Sequence, residues 1–414
     1  MPRTPIRISL LLSLAGGLSA QQSLTWAELR AKFEAANPTL RAGQLAIGEA
    51  HTLETTAFLR PNPSVVVTLD QLAPFTGNPY RPLASVLPLV SASYLHERQN
   101  KRELRLDTAR KGTAIVASQQ DDLARNLLFG LRNAYVMTLQ QKATLAVAKE
   151  NLAFYDKLLG VSQDRLKAGD IAQVDMLRLE LQRVQYATDV QTAEVNVRTA
   201  KIQLLNLLND RAPVDQFDVT GTFDFSENLM PLDEFRQLAL ASRPDLRLAL
   251  QAVEKARADH ALALANGSAD PVFSVDTGRN PPIPAYIGFS VNIPLRIFDR
   301  NQGEKERTAI DIRRNQHLQE AATAQVFSDV DSSFTTLNGS LVLLRPYKAT
   351  YLEQAAKVRD TIAFAYQRGG ASLLDFLSAE NEYRSIRLSY LNLVGSYLTA
   401  ASQLNLAVGR EVMQ

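Results

Sequence analysis

The chain has 414 residues and no cysteine, and its 45 lysine and arginine side chains nearly balance its 43 aspartates and glutamates. A chain of this length can hold two or three ordinary domains. The missing cysteine excludes disulfides, thiolate metal sites and cysteine nucleophiles, and the balanced charge argues against a basic surface for nucleic acid.

Residues 1–20 have the pattern of a signal peptide. Arg3 and Arg7 precede an apolar run from Ile8 to Leu18, and small residues follow as far as Ala20. A membrane anchor is the alternative, but this run is too short to cross a bilayer, which takes roughly 20 residues. No later run of eighteen apolar residues occurs. We therefore expect an exported protein without transmembrane helices, which could still enter a membrane through β-strands.

Two pairs of segments indicate that the chain is duplicated. Residues 24–41, LTWAELRAKFEAANPTLR, resemble residues 230–247, MPLDEFRQLALASRPDLR. Further along each copy, RLKAGDIAQVDML at 165–177 resembles AYQRGGASLLDFL at 365–377, with the same glycine, aspartate and leucine positions. We predict a first structural repeat over residues 21–211 and a second over residues 230–414. Residues 212–229 are punctuated by proline and glycine, and we predict that they form a linker with short strands.

Each repeat contains a predicted pair of strands between helical segments. The clearest strand has Ile287, Phe289 and Val291 alternating with Gly288 and Ser290, which gives one apolar and one polar face. Pro88 interrupts the weakest strand. The four predicted strands cover residues 63–70, 85–94, 271–277 and 285–294.

The predicted helices are unusually long. Residues 97–166 contain no proline, and a helix of seventy residues would be roughly 105 Å long. Residues 299–368 form a stretch of the same length, but Pro346 is expected to kink or break it. Helices of this length imply coiled-coil packing. The last helix has coiled-coil spacing of its apolar residues, at Ile386, Tyr390, Leu393, Tyr397, Leu404 and Val408.

Four strands cannot close a membrane barrel, since about eight are needed. A sheet with unsatisfied edges beside such long helices indicates oligomerisation. Three copies would supply twelve strands, although closure alone does not fix that number.

The order of elements, the repeat, the glycine turns and the stretch VNIPLRIFDRNQGE at 291–304 together resemble the TolC-like outer-membrane efflux proteins. The segment PLRIFDRNQG is most similar to the heavy-metal cation efflux branch. The resemblance implies a mainly α fold with a membrane β-barrel portion: a homotrimer with one twelve-stranded barrel, four strands per chain, continued by a helical coiled-coil barrel. It implies the outer membrane of a Gram-negative bacterium as location, and outer-membrane lipid, a periplasmic adaptor (membrane fusion) protein and an inner-membrane RND-type pump as partners, with no nucleic acid.

The resemblance also gives the glycine turns a location. In the family two helical hairpins end at the periplasmic mouth of the tunnel, so the tips are expected near residues 165–175 and 366–375. The candidate residues for docking of the adaptor are Gly169, Gly369, Gly370, Arg165 and Arg368. The alternative is that each glycine simply ends a helix in a left-handed cap.

Two aspartates and a tyrosine are the candidates for the pore entrance. By resemblance Asp175 and Asp375 lie at the constriction, where a ring of carboxylates would favour cations, and Tyr366 helps to latch the closed entrance. Ala371 stands where relatives of the drug-efflux type have a latch arginine. The alternative for Asp375 is a capping box with Ser372.

No catalytic motif is present: the sequence has no phosphate loop, no nucleophile elbow and no zinc-binding HExxH. The four histidines are scattered, so we expect no metal site and no cofactor. The stretch LSAQQS has no cysteine for lipidation, and we expect no lipid anchor.

The expected function is therefore that of an outer-membrane channel subunit, which passively conducts substrates, with heavy-metal cations preferred. A drug-efflux or type I protein-secretion duct of the same fold is the alternative. An exported coiled-coil structural protein is a further one, but it leaves the alternating strands unexplained.

Overall fold

A computed structural model describes residues 23–72 and 86–413 of the chain. The predicted signal peptide lies outside the described residues, as does most of the connection between the predicted strands at 63–70 and 85–94, including residue 85 itself.

The first part of the chain runs from a short strand through two helices, two strands and two further helices. These elements are β1 Ser23–Leu24, α1 Trp26–Ala36, α2 Pro38–Phe58, β2 Ser64–Asp70, β3 Leu87–Leu95, α3 Lys101–Ala168 and α4 Gln173–Leu207.

The second part repeats this order after a short connection that contains a 3₁₀ turn at Val214–Gln216. Its elements are β4 Asp218–Val219, α5 Leu232–Ser242, α6 Pro244–Asn266, β5 Val272–Asn280, β6 Ile283–Asn292, α7 Gln302–Pro346, a π-helical turn at Tyr347–Tyr351, α8 Leu352–Gln367 and α9 Leu373–Val408. Strand β4 pairs in parallel with β1.

The chain divides into two compact units, which we call the helical unit and the sheet unit. The helical unit takes in the chain up to Asn37, together with 128–227 and 337–402. The sheet unit takes in 38–127, 228–336 and the residues from Gln403 onward. Helices α3, α7 and α9 each contribute to both units.

The sheet unit contains a four-stranded antiparallel sheet in the order β2-β3-β5-β6. The strands are in register at a row of four paired serines, Ser64, Ser93, Ser274 and Ser290, which crosses the whole sheet. The hydroxyl oxygens of Ser64 and Ser93 lie 2.8 Å apart. Strands β2 and β6 form the edges, and within the described residues neither edge has a further partner.

The two faces of this sheet differ in polarity. Val65, Ala92, Val275 and Phe289 are paired in one row, so their side chains point to one face, and Phe289 is 82% exposed there. The opposite face carries the serine row. The period-two pattern of the sequence therefore produces an apolar face that stays exposed among the described residues of the single chain.

The long helices differ between the two repeats. Helix α3 is continuous over 68 residues, a length of about 100 Å. Its counterpart is interrupted directly after Pro346, where the π-helical turn separates α7 from α8. The expected interruption is therefore present, because proline lacks the N–H that continues the α-helical hydrogen bonds. Throughout the described part of the chain, no helix combines the length and apolar character that crossing a membrane requires.

Candidate functional site

The two hairpin tips of the helical unit are built in the same way. Gly169 and Gly369 have φ angles of +82° and +78°, the left-handed conformation that favours glycine. At the first tip, the N–H of Gly169 donates to the Leu166 carbonyl at 3.0 Å, and that of Asp170 donates to the Arg165 carbonyl at 2.9 Å. This pair of hydrogen bonds is the Schellman motif.

The second tip has the matching pair of main-chain bonds. The N–H of Gly369 donates to the Tyr366 carbonyl at 3.1 Å, and that of Gly370 donates to the Ala365 carbonyl at 2.8 Å. Both tips are thus closed by backbone groups, and the glycines have the conformation of helix C-caps.

The helices that leave the tips begin differently. At α9 the Ser372 hydroxyl and N–H both donate to Asp375 Oδ2, at 2.7 and 3.1 Å, and the N–H of Asp375 donates back to the hydroxyl oxygen at 3.1 Å. These hydrogen bonds from the Ser372 side chain and backbone lower the pKa of the exposed Asp375 carboxyl. At α4 the equivalent position is Ala172, which makes no side-chain cap. Asp175 Oδ1 instead lies 4.0 Å from Arg178 Nη1.

An apolar cluster packs the two hairpins together near their tips. It contains residues from the end of α3, the start of α4, the end of α8 and the start of α9. The structure therefore brings together two segments that are 200 residues apart in sequence. The buried members are Tyr155, Leu158, Leu159, Met176, Leu179, Tyr186, Ala363, Tyr366, Leu373 and Phe376.

Tyr366 lies inside this cluster. It is 4% exposed, and its ring stacks on Phe376 with the centroids 5.4 Å apart. Its buried hydroxyl has no hydrogen-bond partner. Arg165 of the other hairpin donates from Nη1 to the Tyr366 carbonyl at 2.6 Å and lies 5.4 Å from the ring centroid. The contact between Arg165 and Tyr366 thus joins the two tips within one chain. Arg165 is one of the residues that the sequence analysis names as candidates for adaptor docking.

Arg368 has a different environment. Arg368 is exposed, and its guanidinium carbon lies 4.6 Å from the ring centroid of Phe364 in the preceding helix α8. Of the two candidate docking arginines, Arg368 is the one that presents its charge to the surface.

Sequence reasoning missed a buried acid, Glu380. Its side chain is fully buried in α9, and neither carboxylate oxygen has a hydrogen-bond partner. Burial raises the pKa of Glu380 to about 7, and the positive charge of Arg359 offsets only part of this effect. The signal was present in the sequence, because Glu380 lies between Phe376 and Tyr383 on the apolar stripe of the helix.

Within the described residues, no group of three histidines, aspartates or glutamates is arranged to hold a metal ion. The histidines lie apart and have local partners. His260 Nδ1 lies 2.8 Å from the Thr308 hydroxyl oxygen, and His317 Nδ1 lies 3.1 Å from a Glu320 carboxylate oxygen.

Comparison with known proteins agrees with this architecture. Residues 235–410 match the family described as Outer membrane efflux protein. The chain is 24% identical over 328 residues to the cobalt-zinc-cadmium resistance protein CzcC of Cupriavidus metallidurans, covering 76% of this chain and 75% of the relative.

Solved structures share the fold. The crystal structure of CusC has a TM-score of 0.77 at 17% identity and covers 93% of this chain and 92% of its own. The open state of the MtrE outer membrane channel of Neisseria gonorrhoeae has a TM-score of 0.75 at 16% identity, with 94% and 89% covered. The resemblance seen in the sequence is thereby confirmed: the chain has the fold of the outer-membrane efflux channels, and residues 235–410, most of its second repeat, match the Outer membrane efflux protein family.

Proposed function

We propose that this protein is the outer-membrane channel of a tripartite system that exports heavy-metal cations. The observation that carries the proposal is the pairing of two hairpin tips in one helical unit, together with a four-stranded sheet that has an apolar face and two free edges. The named role of the similar CzcC in cobalt, zinc and cadmium resistance supports the choice of cargo.

Channels of this family act as trimers together with an adaptor and an inner-membrane pump. For this chain, closure follows from the sheet edges: β6 of one subunit joins β2 of the next, and three copies give twelve strands without a free edge. The apolar face then lies against lipid and the serine face lines the interior.

A threefold assembly would also multiply the carboxylates at the tips. Each subunit supplies Asp175 and Asp375, so the entrance would carry two sets of three. The lowered pKa of Asp375 keeps its carboxylate charged near neutral pH. Such a ring favours cations over anions at the entrance without binding them tightly, which suits a passive duct.

The tips are also the proposed contact with the adaptor. Gly169, Gly369 and Gly370 leave the turn backbone accessible, and Arg368 offers an exposed charge. In this proposal Tyr366 and Arg165 hold the two tips of a subunit together, in place of the arginine latch that Ala371 cannot make.

Reconstitution into planar lipid bilayers tests the channel. The purified trimer should give discrete conductance steps that favour cations, and heat-denatured protein should give none. A protein that stays monomeric and soluble without detergent would contradict the proposal.

Deletion of the gene tests the cargo. Tolerance of zinc, cobalt, cadmium and copper should fall and should return with the wild-type gene. A defect in drug tolerance alone would identify a drug duct. The loss of a secreted protein, with both tolerances unchanged, would identify a secretion duct.

A further inference from the structure

A short apolar segment leaves the sheet at its β6 edge and stays uncovered. Residues 293–298 follow β6 directly, before α7 begins at Gln302. Leu295 is 79% exposed and Phe298 is 90% exposed, and Ile293 and Ile297 are more than half exposed. Four neighbouring large apolar side chains in water are costly to expose, and such a patch usually marks a contact surface.

The equivalent segment of the first repeat is polar, and its charged side chain at this position forms hydrogen bonds within the same chain. Asn100 and Asn301 both have left-handed backbones just before the long helices, and aligning them places Glu97 opposite Phe298. The Glu97 carboxylate accepts a hydrogen bond from Arg105 Nη2 at 2.9 Å. The two repeats therefore differ in the polarity of this segment. The preceding strands also differ in their place in the sheet, because β3 is an interior strand and β6 is an edge strand.

The opposite edge of the sheet carries a matching apolar group. Phe58 and Leu59, which precede β2, are 44% and 61% exposed, and Val65 in β2 is 67% exposed. Arg105 donates to the carbonyl of Leu59 at 3.2 Å, which fixes the backbone there.

The sheet register puts both groups at the same end of the sheet but on opposite edges. Strands β2 and β6 run in opposite directions, and the serine row sets Ser64 level with Ser290. The two edges are separated by three strand spacings, or about 14 Å. The segment after β6 therefore cannot cover the start of β2 in its own chain.

We propose that Leu295, Ile297 and Phe298 of one subunit pack against the apolar residues around the start of β2 in the next subunit. This apolar clasp, formed with Phe58, Leu59 or Val65, joins neighbouring subunits where the sheet meets the helices. The proposal rests on the trimer of the proposed function. Strands of a closed barrel are staggered, and this stagger decides which of the three side chains Phe298 meets.

Lipid is the other possible occupant of the apolar segment. A lipid contact would be expected after interior and edge strands alike, since both face the bilayer. The segment after β3 has His96 and Glu97 at the positions of Ile297 and Phe298, and only the edge position is apolar. The difference between the repeats favours a neighbouring subunit.

Disulfide cross-linking tests the clasp with no background, because the chain has no cysteine. Phe298→Cys is combined in turn with Phe58→Cys, Leu59→Cys and Val65→Cys. At least one pair should give dimer and trimer bands on a non-reducing gel, and reductant should remove them. Arg98→Cys with the same three partners is the matched control, since Arg98 is exposed but follows β3, and it should stay monomeric.

Native mass spectrometry of each unoxidised variant separates the possible failures. If the wild type is not a trimer, the proposed function fails. If the wild type and the variants are trimers and no Phe298→Cys pair cross-links, the clasp is overturned.

A fluorescence measurement distinguishes lipid from protein at the same position. Phe298→Trp is placed in a Trp26→Phe background, which removes the one native tryptophan. In vesicles with brominated acyl chains, its emission should be quenched much less than that of Phe289→Trp on the apolar face. Equal quenching at both positions would overturn the clasp in favour of lipid.

Discussion

Gly369 shows how much of a hairpin tip depends on one residue. Its φ of +78° strains any residue with a side chain, although the nearest atom to an added methyl group is Arg165 Nη2 at 3.7 Å. Gly369→Ala should therefore lower the free energy of unfolding by about 1–2 kcal/mol through backbone strain alone. Thermal unfolding of the detergent-solubilised protein measures this.

Gly370→Ala is the matched control for this prediction. Gly370 has no left-handed φ, and its added methyl group would lie 3.6 Å from the Ala365 carbonyl oxygen, an ordinary contact. Its stability should change by less than about 0.5 kcal/mol. Equal losses for both variants would show that space, rather than backbone conformation, limits the tip.

Asp375 has two possible roles that substitutions can separate. Asp375→Asn keeps an oxygen for the Ser372 hydroxyl and removes the charge, so cation selectivity should fall with little loss of stability. Ser372→Ala removes the cap and keeps the charge, so it should cost about 1 kcal/mol of stability and leave selectivity unchanged. Reversal potentials in bilayers and thermal unfolding measure the two effects. Unaltered selectivity in Asp375→Asn would leave Asp375 as a cap alone.

Glu380 should make the paired hairpins less stable as the pH rises. Its pKa is about 7 in the folded protein against a reference of 4.5. The folded state therefore holds the proton more tightly. The contribution of Glu380 to stability is therefore greatest below pH 4.5, falls between pH 4.5 and 7, and is then constant, with a total loss of about 3 kcal/mol.

The surroundings of Glu380 explain why the charge is costly there. Tyr155 and Tyr186 are buried beside it, and the Tyr155 hydroxyl has no hydrogen-bond partner. Arg359 is the favourable charge, but it donates to Asp360 at 2.9 and 2.7 Å, and Asp360 itself opposes ionisation of Glu380.

Glu380→Gln should raise the melting temperature at pH 8 and remove most of its fall between pH 5 and 8. Glu382→Gln, at an exposed position of the same helix, should leave the wild-type profile intact. A wild-type profile in Glu380→Gln would rule out Glu380 as the titrating group.

The two long helical stretches, α3 and α7–α8, allow the effect of a proline inside a helix to be compared within one chain. Pro346 is followed by the π-helical turn at Tyr347–Tyr351, whereas α3 runs on without a break. Pro346→Ala supplies the missing N–H, so hydrogen exchange of residues 347–351 should slow. Ala146→Pro, near the corresponding point of α3, should create a break and cost about 3 kcal/mol or more. Unchanged exchange in Pro346→Ala would show that packing, rather than proline, maintains the turn.

The helical stripe of α9 shows where an element-level prediction succeeds. Tyr397, Leu404 and Val408 are buried as the coiled-coil spacing predicts, whereas Ile386, Tyr390 and Leu393 are half-buried in the single chain. Spacing fixes which residues share a face of a helix. It does not determine how much of that face one chain can cover.

For the whole molecule, the sequence predicts what local patterns encode. The period-two strands, the proline interruption and the glycine turns are local signals, and the structure contains each of them. The apolar stripe of α9 indicates the burial of Glu380, but the burial of Tyr366 was not predictable in this way. It arises where α8 and α9 pack on α3 and α4, segments about 200 residues apart whose contact no local pattern specifies.

The main-chain closure of both tips has a consequence for how such a channel changes over time. Hydrogen bonds between backbone groups shape each turn, and one glycine supplies the required conformation. The exposed side chains around the turns contribute little to the shape of the turns. Mutation can therefore exchange them while the fold is retained. If the tips dock an adaptor as proposed, such exchanges would change which adaptor is recognised, and one tip of the duplicated subunit could keep its contacts while the other changed.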